Sequence, residues 1–166
     1  MTHIPRVGSM VLLNRDVTPE IEAVRALIDR QFRSVSWGPD GVPDWTAFIA
    51  DFVSQAPLYA SARPIHPQSI QQFAERMNGL VGTSLESFHE RALESVVHAF
   101  GNVAVDVVVC ENIENAAETN RTVEMMLLVK DKGVWRIAAQ AWDKESASDP
   151  VTGQILQAAR QTNTAF

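Results

Sequence analysis

Between positions 101 and 145 the apolar residues fall into three dense runs, Val103 to Cys110, Val123 to Val129 and Val134 to Trp142, separated by polar stretches. The first run is almost wholly β-branched, and such side chains lose rotamer freedom in a helix but fit a pleated surface. Three consecutive strands are therefore expected. The stretch 112–120, Asn-Ile-Glu-Asn-Ala-Ala-Glu-Thr-Asn, is polar and rich in turn formers and reads as a long mobile loop. Asp131-Lys132-Gly133 reads as a tight turn in which Gly133 is free to take positive φ. The predicted arrangement is an antiparallel meander.

Upstream the pattern changes to helical spacing. Ile21, Val24, Leu27, Ile28, Phe32 and Val35 lie on one face, with Arg25, Asp29, Arg30 and Arg33 largely outside it. Thr18 is the expected N-cap and Pro19 the first helical residue, and the cluster Trp37-Gly38-Pro39-Asp40-Gly41 stops the helix. Asp44 caps a second, shorter helix with Trp45, Phe48, Ile49 and Phe52 on one stripe. Pro57 to Ala60 reads as a short strand and 61–67 as a loop. Ser69-Ile70-Gln71-Gln72 fits a capping box opening a third helix, with Ile70, Phe73, Met77 and Leu80 inward. From Leu85 to Ala99 the periodicity alone leans to helix, although an imperfect alternation with a bulge is also legible.

Length and composition then limit the possibilities. A chain of 166 residues that is 46% hydrophobic and 20% charged fits one soluble globular domain. A net charge of -6 without a Lys/Arg cluster argues against nucleic acid or an anionic membrane as partner. The lone cysteine, Cys110, excludes an internal disulfide and suggests a cytoplasmic location. No signal peptide or membrane span is expected; Met10 reads as an alternative start, and 154–161 as a short weak helix or a mobile segment. The expected division is an extension at 1–17, a domain at 18–145 and a tail at 146–166.

Phe100-Gly101-Asn102-Val103-Ala104, the Val-rich strand ending at Glu111, Leu128-Val129-Lys130, Gly133-Val134-Trp135-Arg136-Ile137 and Trp142-Asp143 together resemble the C-terminal half of the nuclear transport factor 2-like superfamily. That group includes SnoaL-like polyketide cyclases, ketosteroid isomerase and scytalone dehydratase. The resemblance implies an α+β fold, a curved antiparallel sheet wrapped around about three helices as a cystatin-like cone with an internal pocket. It also implies that the ambiguous stretch before Phe100 is a long bent strand, and that two copies pair as a homodimer.

Several residues could carry chemistry in such a cone. Asp106 interrupts the Val run on the face of Ala104, Val108 and Cys110. If that face lines the cone, a desolvated carboxyl there could act as general acid or base; if the face is convex, Asp106 is solvated or sits at a dimer interface. His89 and His98, nine residues apart, are read as sharing one strand face and as acid–base candidates, against the alternative of surface histidines. Tyr59, the sole tyrosine, could donate to a ligand oxygen or simply pack at the rim. Glu90 reads as a surface ion-pair partner or an inward-pointing ligand group, and Trp142 as a rim residue. Trp45, Phe48, Phe73, Met125, Leu127 and Trp135 are core or cavity wall by pattern, and His66 is a loop or rim residue.

No metal-ligand spacing, phosphate loop, dinucleotide fingerprint or serine elbow is present, so neither metal nor cofactor is expected. The first helix lacks the tyrosine that isomerase-like enolate stabilisation would want, and one tyrosine cannot supply a scytalone dehydratase set. The sequence thus supports a pocket for a small, largely apolar molecule, with cofactor-independent proton transfer by Asp106 and a histidine, of isomerase, dehydratase or cyclase type. The competing reading is a non-enzymatic dimeric binding module whose cone is plugged by its own side chains, Trp135, Phe73, Met125 and Met126 among them.

Overall fold

The computed structural model describes residues 17–151; the expectations for Met10 and for 154–161 lie outside them. Helix α1 spans Thr18–Val35 and α2 Trp45–Ala50, followed by β1 Leu58–Tyr59, β2 Pro67–Gln68 and α3 Ile70–Asn78. Four long strands complete the chain: β3 Phe88–Phe100, β4 Val103–Glu114, β5 Glu118–Asp131 and β6 Val134–Lys144. With β1 and β2 they form one curved six-stranded sheet in the order β2-β1-β6-β5-β4-β3. The long strands are the expected antiparallel meander, whereas β1 runs parallel to β6, so the sheet is mixed. Strand β2, which pairs with β1, starts at Pro67, the last residue of what the sequence reads as a loop.

The helices form where their signals stand. Ser69 caps α3 in a reciprocal box: its hydroxyl accepts from the Gln72 backbone N–H at 3.1 Å, and the Gln72 side chain accepts from the Ser69 N–H at 2.9 Å. Asp44 caps α2 by accepting from Ala47 N–H at 2.9 Å. Helix α1 starts one residue earlier than expected, with Val17 at the N-cap and no side-chain cap bond. Glu20 in its first turn instead accepts from Lys130 Nζ at 2.7 Å and Trp135 Nε1 at 2.9 Å, tying the helix to the β5–β6 hairpin.

The apolar stripe of α1 packs on the inner face of the sheet. Val24, Leu27, Ile28, Phe32 and Val35 meet Val97, Val108, Leu128 and Ile137 in one core, which Phe48 and Phe52 of the α2 region close at one end. Lys132 and Gly133 both take positive φ, 50° and 81°, in the turn before β6, as a two-residue hairpin of this twist requires.

Three details of the sheet differ from expectation and decide what faces the interior. The stretch 112–120 is no long loop: β4 runs to Glu114, β5 begins at Glu118, and Asn115 and Ala116, at φ 51° and 55°, make a tight turn. The pairing that follows puts Glu124 opposite Val108 and Met126 opposite Asp106, so Thr122, Glu124, Met126 and Leu128 point inward. Met125 and Leu127, expected as wall, are 57% and 46% exposed on the outer face, because side chains alternate and a one-residue error exchanges the two sides. Third, β3 shifts register between Ala92 and Glu94. An odd spacing such as that of His89 and His98 gives opposite faces in a regular strand; the extra residue at this bulge brings both to the outer, exposed face.

Candidate active site

The inner face of the meander is polar at the end remote from Gly101. Glu90 on β3 stands opposite Asn112 on β4, and Asn112 opposite Asn120 on β5. One step inward, Cys110 lies between Ala92 and Thr122; beyond it Glu124 is flanked by Val108 and Trp142, and Gln140 pairs with Met126. Gln31 reaches the same region from α1, where it occupies the buried stripe at 2% exposure.

Glu90 and Glu124 meet over Cys110, with side-chain oxygens and the thiol sulfur all within 4.8 Å of one another. Glu124, 4% exposed, also accepts a short hydrogen bond from Gln140 Nε2. Burial pushes the Glu124 carboxyl up from 4.5 to about 7, partly offset by the hydrogen bonds it accepts from Glu90 and Gln140. Burial pushes Glu90 well above the usual carboxylate range too, and the adjacent charge and hydrogen bond of Glu124 add to the rise. Two carboxyls in contact away from water cannot both ionise cheaply, so Glu90 keeps the proton it donates and the pair titrates as a unit. The Cys110 thiol, wholly buried and facing both acids, is held protonated.

Above the pair opens a cavity of about 180 Å³. Its floor is Glu90, Glu124, Gln31, Gln140, Asn112 and Thr122, and its apolar wall comes from Phe73, Met77, Leu80, Leu85, Phe88 and Trp142. Phe73 stacks on Phe48 at 5.3 Å and meets Trp142 edge-on at 5.8 Å, which fixes the aromatic side. Arg76, Lys144, Glu114 and Asn120 complete the lining, with Arg76 and Lys144 exposed at the mouth. The wall is thus half polar, not the largely apolar surface expected. Of the side chains anticipated as a plug, Met125 faces out and Trp135 is engaged with Glu20, whereas Phe73 lines the cavity and Met126 is buried on the inner face.

Of the sequence candidates, the structure brings Glu90 and Trp142 to this cavity. Asp106 is on the inner face and fully buried, and burial raises its pKa against the Ser95 hydrogen bonds at 2.9 and 3.0 Å. It lies beneath α1, near Arg25 and Asp29, and does not line the cavity. His98 pairs with Val105, so it and Asp106 project from opposite faces. His89 and His98 are outside and exposed, and the loop residue His66 is exposed as well. Tyr59 lies in a separate outer groove with Arg63, Val123 and Asp143, and Trp142 touches both spaces. Glu124, Gln140, Gln31, Thr122 and Asn112 were not anticipated. A turn centred on Ala116 would have revealed Glu124 through its pairing with Val108.

No family model matches the sequence, and no curated protein matches it. Solved structures do. A nuclear transport factor 2-like protein of unknown function from Pseudomonas putida superimposes with a TM-score of 0.63 at 14% identity, over 81% of this chain and 94% of that one. A protein of unknown function with a cystatin-like fold from Nostoc punctiforme gives 0.62 at 10% identity, over 78% and 94%. A provisionally assigned scytalone dehydratase from Novosphingobium aromaticivorans gives 0.60 at 11% identity, over 77% and 85%. The chain has the cone fold of the nuclear transport factor 2-like superfamily.

Proposed function

We propose that the protein binds a small molecule in this cavity and uses Glu90 and Glu124 as a general acid–base pair for cofactor-independent proton transfer, of the isomerase, dehydratase or cyclase type. The observation that carries this reading is the contact of the buried Glu124 carboxyl, with its pKa near 7, and the half-buried Glu90 at the floor of an otherwise open cavity. Near neutral pH Glu124 is poised between acid and base, while Glu90 stays protonated. Beneath a bound carbonyl compound, ionised Glu124 takes a proton from the carbon next to the carbonyl, the Glu90 hydroxyl turns from Glu124 to donate a hydrogen bond to the developing enolate oxygen, and the proton returns to another carbon or leaves with a hydroxyl as water. The similarity of fold to a provisionally assigned scytalone dehydratase is compatible with that chemistry. Incubation of small ketones in deuterated buffer, followed by proton NMR, tests it: exchange next to the carbonyl that vanishes in Glu124→Gln is expected, and no Glu124-dependent exchange across the panel removes the catalytic half.

The outer face supports a second, compatible reading, a homodimer. Val103, Val105, Met125 and Leu127 are 50%, 44%, 57% and 46% exposed on neighbouring strands, a contiguous apolar surface of the kind that marks an interface. A second copy related by a two-fold axis would cover it sheet to sheet.

A further inference from the structure

We infer that the cavity is built for the protonated amino group of a small organic molecule, a primary ammonium compound of about six to eight heavy atoms, seated on Glu90 and Glu124 with its hydrocarbon part against Phe73 and Trp142. The inference rests on the reading of the cavity as a ligand site but not on its catalytic half: a ligand whose ammonium sits on Glu90 and Glu124 leaves neither carboxyl free to act on a carbonyl compound. It stands first on the polar atoms left over. Gln31 Oε1, Asn112 Oδ1 and Gln140 Oε1 are buried without a hydrogen-bond partner, in residues 2%, 6% and 5% exposed that all line the cavity. A buried polar atom without a partner costs about 1–3 kcal/mol, so three in residues that line one cavity favour an occupant that brings donors to those side chains.

Gln140 is held in orientation by its other end: its Nε2 donates to Glu124, so its oxygen remains the free end, while Asn112 Nδ2 donates to Thr122 Oγ1 at 3.3 Å and Asn120 Oδ1 at 3.4 Å. Every group in want of a partner is an acceptor. The carboxyl pair adds negative charge whenever it holds a single proton, and no lysine, arginine or histidine shares the floor with it. The charged groups elsewhere on the lining are Glu114 and the exposed Arg76 and Lys144 at the mouth. An alcohol has one hydrogen to give, and a carboxylate would meet ionised Glu124 and three acceptor oxygens at the floor. An ammonium brings three donors and a compensating charge.

Size agrees: about 180 Å³ corresponds to roughly six waters at liquid density, too small for a drug-sized ligand and sufficient for a short amine. A bare divalent ion could use Glu90, Glu124 and Cys110, but Cys110 lies outside the lining, and the aromatic wall would serve no purpose.

The test is calorimetric titration of the full chain near pH 8, where Glu124 is mostly ionised and alkylamines keep their proton. The probes are isoamylamine, cyclopentylamine and benzylamine, the alcohols of matching shape, isovalerate and benzoate, and calcium and zinc chloride. The expected result is that amines bind about tenfold or more tighter than the matching alcohols, and that Glu90→Gln with Glu124→Gln abolishes the preference. Gln31→Met, which keeps both carboxyls and the side-chain length, is expected to weaken the amines about fivefold and leave the alcohols unchanged, so the result does not hang on the double variant folding. Alcohols or carboxylates binding as well as amines would overturn the ammonium inference while leaving a ligand cavity standing. Glutamate-dependent binding of a metal ion without any amine would replace it with a cation site. Binding by no probe would remove both the inference and the ligand-site reading beneath it.

Discussion

Replacing Glu90 and Glu124 together by glutamine should erase a pH dependence of stability that the buried pair imposes. Glu124 titrates at about 7 in the folded chain against an ordinary 4.5, the cause being burial, and at 4% exposure solvent does little to screen it. At about 1.4 kcal/mol per tenfold change in proton affinity, that rise is worth about 3 kcal/mol. The folded chain holds this proton more tightly than the unfolded chain does, so the stabilisation is complete below 4.5 and is lost as pH climbs through about 7. Glu90 is raised as well and deepens the loss. Asp51 and Asp106 are shifted upward by burial in both proteins, so the informative quantity is the difference between wild type and variant. Urea unfolding at about pH 5 and about pH 8 should show wild type losing at least about 3 kcal/mol more than the double variant over that interval. Parallel losses would refute the claim that these carboxyls are desolvated and coupled.

Other perturbations probe the frame that holds the pair. Phe48→Ala removes a wholly buried ring that stacks on Phe73, and should cost about 3–5 kcal/mol in denaturant unfolding while loosening the aromatic wall. Ser69→Ala deletes one half of the α3 capping box and should cost about 1 kcal/mol, read from the same transition. Met125→Lys with Leu127→Glu places charges on the outer apolar face; light scattering should report a dimer for wild type and a folded monomer for the variant, and a wild-type monomer would refute the proposed pairing.

The frame could be read from the chain because its signals are local. The stripe of α1, the Ser69–Gln72 box and the Lys132-Gly133 turn each depend on a few neighbouring residues, and each stands where expected apart from the one-residue shift at Thr18. The site depends on register, which is not local. Both faces of β5 are largely apolar, since one packs on α1 and the other is exposed as Met125 and Leu127, so alternation alone could not assign Glu124 a side. Register required the turn at Asn115 and Ala116, and Ala116 takes positive φ without the glycine that would advertise it. Gln31 was hidden for a different reason: a polar residue on an apolar stripe looks like noise until a cavity is found opposite it. The bulge after Ala92 likewise moved His98 outward with no compositional mark beyond an imperfect alternation.

The most direct test of the central claim, that Glu90 and Glu124 share protons at the cavity floor, is a titration of the glutamate side-chain carboxyl carbons by carbon-13 NMR, assigned with the two single glutamine variants. The expected result is that the Glu124 signal moves with a midpoint near 7 while Glu90 stays protonated well above the usual carboxylate range. Two independent signals both titrating at about 4–5, as for solvated glutamates, would contradict it.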